Sequence, residues 1–238
     1  MSNVVTLKIN DKDVSGRDDE TILDIARENG ISIPTLCHLD GLCDVGACRL
    51  CMVEAKGNNK LLPSCMTKVQ EGMEIITETP TLAEYRKMIV EMLFVEGNHI
   101  CSVCVLNGHC ELQNMAQIVK IDHIELAYRN PQRDVDASHK LFTLDRNRCI
   151  LCTRCVRVCD EIEGAHTWDL MGRGVEARII ADGDQPWGSS TTCTSCGKCV
   201  QVCPTGALFE KGRAVGEMTK RENFLPYLVS NRESRKTS

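Results

Sequence analysis

The sequence predicts an α+β chain of three small domains, at residues 1–79, 80–120 and 140–215, followed by a tail at 216–238. Three observations carry that expectation. Fifteen of the sixteen cysteines fall into four groups strung along the chain, at residues 37–65, 101–110, 149–159 and 193–203, with Cys43 the odd one. Apolar residues alternate with polar ones near the N-terminus, which suits a half-buried strand, and move to helical spacing after residue 79. Aromatic residues are scarce, with four Phe, two Trp and three Tyr in 238 residues. No single large core is therefore expected, and small domains with thin cores need staples of the kind metal centres provide.

In order, Val5, Leu7 and Ile9 alternate with polar residues as a strand, and Asn10-Asp11-Lys12-Asp13 reads as a turn. A helix opens at Thr21, with Ile22, Ile25 and Ala26 on one face and Gly30 as its stop. Residues 49–55 and 73–79 read as further strands. Strand, turn, helix, ligand loop and strand is the order of a β-grasp ferredoxin. Thr79-Pro80 starts a second helix as a cap and first-position pair. Leu82, Tyr85, Met88, Ile89, Met92 and Leu93 form its apolar stripe, read as core packing, and Gly97 ends it. Cys101 to Cys110 form a tight loop, residues 111–119 a short helix, and residues 121–145 a polar connection. The last domain holds an internal repeat, the paired cysteine run.

The net charge is −5, which argues against nucleic acid as a partner. The basic residues from Lys220 and Arg221 to Arg232, Arg235 and Lys236 read as a solvated tail. The N-terminus shows no basic segment followed by an apolar one, and no stretch of eighteen apolar residues occurs. Those features predict a cytoplasmic protein, in which thiols stay reduced and serve as metal ligands rather than disulfides.

Cys149-x2-Cys152-x2-Cys155-x3-Cys159 and Cys193-x2-Cys196-x2-Cys199-x3-Cys203-Pro204 share the spacing of bacterial two-cluster ferredoxins, in which the last cysteine of each run ligates the other run's cluster. One [4Fe–4S] centre is thus expected on Cys149, Cys152, Cys155 and Cys203, and a second on Cys193, Cys196, Cys199 and Cys159. Cys48-x2-Cys51 suits a tight chelating turn, Cys37 and Cys65 complete a [2Fe–2S] set, and Gly41 and Gly46 give that loop permissive backbone. Cys43 is surplus and reads as a small buried residue. The middle group, Cys101-x2-Cys104-x5-Cys110, has three thiols. His99 is the expected fourth ligand of a third [4Fe–4S] centre, whereas His109 is poorly placed beside Cys110. Gly172-Arg173-Gly174-Val175-Glu176-Ala177 fits G-x-G-x-x-A but opens no helix after a buried strand, so nucleotide binding is not expected there. No other phosphate loop, flavin site or catalytic triad is visible.

Pro34-x2-Cys37, Gly46-Ala47-Cys48-Arg49-x-Cys51, Cys110-Glu111-Leu112-Gln113 and Arg148-Cys149-Ile150-x-Cys152-x-Arg154-Cys155 resemble the N-terminal electron-transfer module of the large iron–sulfur subunit of respiratory complex I. The same module begins iron-only hydrogenases and NAD-linked formate dehydrogenases. The resemblance covers residues 1 to about 215. It places the family's histidine at Gly97, two positions before His99. A free-standing module of this length resembles the small diaphorase subunit of bidirectional NAD(P)-linked nickel–iron hydrogenases. The resemblance implies a non-catalytic electron-transfer subunit in a hetero-oligomer, between a flavin- and NAD(P)H-binding diaphorase subunit and a hydrogenase small subunit. One [2Fe–2S] and three [4Fe–4S] clusters are expected, with no flavin or NAD on this chain. The rival readings are a module of a formate dehydrogenase or complex I relative and, from another class, a zinc-binding interaction protein.

Overall fold

The computed structural model describes residues 2–57 and 60–236. The chain divides into two units, residues 1–38 with 44–90, and residues 39–43 with 91–238.

The first unit is built on a five-stranded sheet in the order β2-β1-β5-β3-β4, formed by β1 (Val4–Ile9), β2 (Lys12–Arg17), β3 (Met52–Ala55), β4 (Leu62–Pro63) and β5 (Glu74–Ile76). β1 pairs antiparallel with β2 and parallel with β5. Asn10 and Asp11 both take positive φ, 51° and 63°, the requirement of a tight two-residue hairpin. The expected four-residue turn is therefore shorter, and Lys12 and Asp13 already belong to β2. Only Val14 of that strand points inward, which is why alternation did not reveal it.

Helix α1 (Ile22–Glu28) starts where expected. Thr21 Oγ1 accepts from Asp24 N while the Asp24 carboxylate accepts from Thr21 N, a reciprocal capping box. Ile22, Ile25 and Ala26 pack with Leu7, Ile9, Val53 and Ile75 in one core that also takes in Cys51 and Cys65. Helix α2 (Pro80–Val95) begins in this unit, its first turn capped by Thr79 Oγ1, which accepts from Leu82 N. Its buried face carries Leu82, Ile89 and Val90, but also Arg86, while Met88 is 44% exposed and Met92 39%. The methionine stripe is thus not core packing. Arg86 is buried in its stead because three carbonyl groups, Leu50 O, Met52 O and Thr77 O, accept from its guanidinium.

In the second unit, residues 101–110 form a loop opened by one 3-10 turn, and α3 (Glu111–Ile118) follows it. The segment expected as plain connection contains β6 (Val135–Asp136) and β7 (Phe142–Asp145), which join β10 (Leu208–Glu210) in a three-stranded sheet of order β10-β7-β6. The cysteine runs lead into α4 (Arg154–Arg157), which passes into a π-helical turn over Val158–Glu163, and α5 (Lys198–Val202). Between them, β8 (Trp168–Met171) and β9 (Arg178–Ala181) make a separate hairpin. The G-x-G-x-x-A segment is the loop of this hairpin, with a single 3-10 turn at Gly174–Glu176.

The tail is only partly as expected. Met218 and Leu225 are buried, Gly216 N and Met218 N donate to Cys104 O and Val105 O, and the Lys220 ammonium donates to Val200 O and Leu208 O. A final helix, α6 (Phe224–Lys236), follows. The side chains of Arg232, Arg235 and Lys236 lie outside the described residues. No helix among the described residues is long and apolar enough to cross a membrane.

Candidate metal centres

The first unit brings Cys37, Cys48, Cys51 and Cys65 together as two pairs. Two thiolates on one tetrahedral metal at about 2.3 Å stand roughly 3.8 Å apart, and Cys51 Sγ and Cys65 Sγ are 3.4 Å apart. In the other pair the Cys37 thiol hydrogen-bonds Cys48, which draws Cys48 down to about 6 while Cys37 is pushed up. Cys51 is likewise drawn down to about 6 by its hydrogen bond with Cys65, and Cys65 rises. Cys37, Cys51 and Cys65 are buried and Cys48 half-buried. Next to Cys37, His38 is held by Arg27 Nη1, 2.6 Å from its Nε2, and by Asp44 Oδ1, 2.9 Å from its Nδ1.

Cys43 is exposed rather than buried. Its main chain is held from both sides, with Cys43 N donating to Glu161 Oε2 and Arg157 Nη1 donating to Cys43 O. That backbone anchoring fixes the residue without enclosing its side chain, so the small-buried-residue reading fails.

The second unit gathers its cysteines around three cavities. One, of about 270 Å³ of atom-free space partly open to solvent, is lined by His99, Cys101, Cys104 and Cys110 together with Arg148 and Gly206. His99 Nε2 and Arg148 Nε are both buried without a hydrogen-bond partner. Burial holds the His99 imidazole down to about 4, so at neutral pH it is in the neutral, metal-ligating form. Backbone makes room for both donors. A Cβ on Gly97 would lie 2.4 Å from His99 Nε2, and one on Gly206 would lie 2.4 Å from Cys104 Sγ. The position where the complex I module carries histidine is here the bare backbone against which the His99 ring rests. His109 is exposed and does not line the cavity.

A second cavity, with about 350 Å³ of atom-free space partly open to solvent, is lined by Cys149, Cys152, Cys155 and Cys203, with Leu144, Ile150, Ile179 and Leu208 around them. Burial among these aliphatic groups pushes Cys149 up to about 11, Cys152 to about 12 and Cys155 well above its ordinary value. The third, of about 320 Å³, is lined by Cys159, Cys193, Cys196 and Cys199, with Phe142, Trp168, Trp187, Glu163 and Lys198. Each of these two cavities takes three cysteines from one run and the last cysteine of the other.

The donor set suits iron–sulfur clusters. Thiolates select soft or cluster metals, and burial that disfavours a thiolate is offset once a cation binds it. Among the described residues no three or more His, Cys, Asp or Glu side chains converge on a single-ion position. The sulfurs line volumes with four donors each, which suits a polynuclear group.

Other residues at these sites had no assigned role in the sequence reading, although Glu111 and Arg154 lie within the motifs that carry the resemblance. Arg154 is 2% exposed and bonds the Glu111 carboxylate through two nitrogens, at 2.6 and 2.8 Å, with Glu222 3.5 Å away. Lys220 is desolvated near Cys203, Cys199 and Cys110, one ligand-type cysteine from each cavity. Trp187 Nε1 donates to Cys193 Sγ at 3.2 Å.

Comparison with known proteins matches three stretches of the chain to iron–sulfur families. Residues 2–80 match a 2Fe-2S iron–sulfur cluster binding domain, 86–125 an NADH-ubiquinone oxidoreductase-G iron–sulfur binding region, and 140–209 the ferredoxin-like domain of NADH-quinone oxidoreductase subunit 3. The NADPH-Fe(3+) oxidoreductase subunit alpha of Geobacter sulfurreducens is 38% identical over 208 residues, 87% of this chain but 24% of that protein. This chain therefore spans about a quarter of that relative. The gamma subunit of the NAD-reducing hydrogenase HoxS of Cupriavidus necator is 35% identical over 208 residues, 87% of each chain. A chain in the crystal structure of an NAD+-reducing [NiFe]-hydrogenase in the H2-reduced state superposes with a TM-score of 0.82 at 34% identity, over 88% of both chains. The chain belongs to the iron–sulfur family that includes the gamma subunit of NAD-reducing hydrogenase, built from a 2Fe-2S domain, an NADH-oxidoreductase-type iron–sulfur region and a ferredoxin-like domain.

Proposed function

We propose that this chain is the electron-transfer subunit of an NAD(P)-linked nickel–iron hydrogenase, with no catalytic centre of its own. It relays electrons between a flavin- and NAD(P)H-binding diaphorase subunit and a hydrogenase small subunit, in the reaction H2 + NAD(P)+ = NAD(P)H + H+, and it works in the cytoplasm. The single observation that carries the reading is the partition of ligand-type side chains into one set of paired thiols and three cavities with four donors each. Cys37, Cys48, Cys51 and Cys65 hold a [2Fe–2S] cluster. His99, Cys101, Cys104 and Cys110 hold one [4Fe–4S] cluster, Cys149, Cys152, Cys155 and Cys203 a second, and Cys193, Cys196, Cys199 and Cys159 a third. Each cluster, when bound, carries one electron at a potential set by charge, hydrogen bonds and burial. The protein's own contribution is to fix the sulfurs, exclude water and place cations and N–H donors around them.

The test is an anaerobic purification with iron, sulfide and flavin inventories, followed by identification of the proteins that travel with the chain. About fourteen irons per chain are expected, no flavin retained by the isolated chain, and a diaphorase and a nickel–iron hydrogenase among the partners. About ten irons would remove the cluster from the His99 cavity. Stoichiometric flavin on the lone chain would overturn the non-catalytic assignment. The matches of residues 86–125 and 140–209 to NADH-oxidoreductase regions favour a second reading, a module of a complex I relative or of a formate dehydrogenase, and the co-purifying partner decides between them.

A further inference from the structure

The segment between Cys159 and Cys193 is longer than a two-cluster ferredoxin needs, and it contains both tryptophans of the 238-residue sequence. Both indoles return to the same cavity, the one lined by Cys159, Cys193, Cys196 and Cys199. Trp187 is 1% exposed and Trp168 4%. Trp187 Nε1 donates to Cys193 Sγ at 3.2 Å, and Trp168 lines the same cavity beside Cys199.

The rings are firmly held. They meet edge to face with centroids 4.7 Å apart at 64°. His139 and Phe142 pack on Trp187 at 4.6 and 5.6 Å. Trp187 N donates to Asp136 Oδ2 at 2.7 Å, and that carboxylate is fixed in turn by Ser138. An indole N–H has no acceptor function and, once buried, needs one partner. Here the partner of Trp187 is the Cys193 sulfur, and Trp168 stands in the wall of the same cavity.

We propose that Trp168 and Trp187 are positioning residues that raise the reduction potential of the cluster on Cys159, Cys193, Cys196 and Cys199, and that the inserted segment exists to deliver them. The proposal rests on the ligand assignment given above. On reduction the cluster gains one negative charge, shared by its sulfurs, and an N–H aimed at a sulfur strengthens as that charge grows. The reduced state gains more than the oxidised one, so the potential rises. Among the described residues lining the cavity of Cys149, Cys152, Cys155 and Cys203, no side chain carries an N–H, because Leu144, Ile150, Ile179 and Leu208 fill those places.

The experiment is a redox titration followed by electron paramagnetic resonance on the holo-protein. Cys196→Ser first identifies which signal belongs to this cavity. Trp187→Phe and Trp168→Phe then remove each N–H while keeping an aromatic ring. Replacing each tryptophan by β-(3-benzothienyl)alanine keeps its shape and removes only the donor, which guards against a packing effect. The expected result is a fall in the reduction equilibrium of that one signal by about tenfold per lost N–H, about 59 mV for one electron, with the other signals unmoved. An unshifted signal in the benzothienyl variants overturns the proposal. A shift in a different signal overturns it too, and assigns the indoles to another centre. A Cys196→Ser variant that leaves every signal intact overturns the ligand assignment itself, and the proposal falls with it.

Discussion

The two cysteine runs have the same spacing and build two different sites. Aligned, Leu151 corresponds to Ser195, Thr153 to Gly197, Arg154 to Lys198 and Arg157 to Gln201. The backbone repeats closely. Leu151 and Ser195 take φ of 53° and 57°, Thr153 and Gly197 take 59° and 73°, and Val158 and Val202 are both fully buried. The surroundings do not repeat. Aliphatic side chains line the cavity of the first run, whereas tryptophans, Phe142, Glu163 and Lys198 line that of the second. The exits differ as well. Cys203 is followed by Pro204, while Cys159 sits in a π-helical turn, a feature frequent at functional sites. Spacing thus fixes where the sulfurs stand, and side chains packed around each cavity, most of them from outside the runs, set its electrostatic surroundings.

The largest expected effect tests how the runs share ligands. Cys203→Ser should remove the cluster bounded by Cys149, Cys152 and Cys155, about four irons per chain, and spare its twin. Cys159→Ser should do the reverse. Iron counting with spectra of both variants checks this, and each variant losing its own run's cluster would break the crossed assignment.

The His99 cavity has no twin, and its neutral donor extends the comparison. Imidazole in place of a thiolate makes a cluster less negative and raises its potential. His99→Cys should therefore lower that centre's potential, and His99→Ala should convert it to a three-iron form or lose it, while His109→Ala should change neither. Spectra altered in the His109 variant alone would move the ligand to His109.

The paired cations offer a contrast in stability. Arg154 has a side chain 3% exposed and bridges Glu111 and Glu222, whereas Lys198 is 25% exposed and pairs with Glu163. Removing one member of a buried pair costs about 3 kcal/mol, because Glu111 would lose its bidentate partner and Glu222, already held above the usual carboxylate range by burial and then by Glu111, would keep only Lys220 of its two cations. Arg154→Met should therefore lower unfolding stability by about that amount. Lys198→Met should cost about 1 kcal/mol or less. Urea unfolding of the anaerobic holo-protein measures both, and equal losses would erase the contrast.

These differences explain what could be read from the sequence. Cysteine spacing is local, and so were the cap at Thr21, the start at Pro80 and the stop near Gly30. The strand Lys12–Arg17 was not legible because only Val14 faces the core. The burial of Arg86 and the half-burial of Lys220 were not legible because the carbonyls that receive them, Leu50 O and Met52 O for one, Val200 O and Leu208 O for the other, come from segments far away or out of helical register. Met88 and Met92 satisfied an apolar periodicity that Arg86 displaced from the core. The indoles carry no periodic signature, so their approach to Cys193 and Cys199 becomes visible only when the inserted segment folds back.

The smallest expected effect lies in the backbone itself. Thr153 and Gly197 hold the same left-handed turn just after the second cysteine of each run, but only glycine takes it without strain. At Gly197 an added Cβ would stand 3.1 Å from Phe142 Cζ, so Gly197→Thr combines a crowded contact with a left-handed penalty of about 1–2 kcal/mol. At Thr153 the strain is already present, and its Oγ1 is buried without a hydrogen-bond partner. Thr153→Gly relieves both, against an entropy cost of about 0.5–1 kcal/mol for a more flexible unfolded chain. The net change should be stabilising and under about 1 kcal/mol, read as a small rise in the urea midpoint of the holo-protein. A loss as large as that of Gly197→Thr would mean that the Thr153 methyl or hydroxyl supports the first cluster's loop, and the two turns would then differ in what their side chains do as well as in what their backbones tolerate.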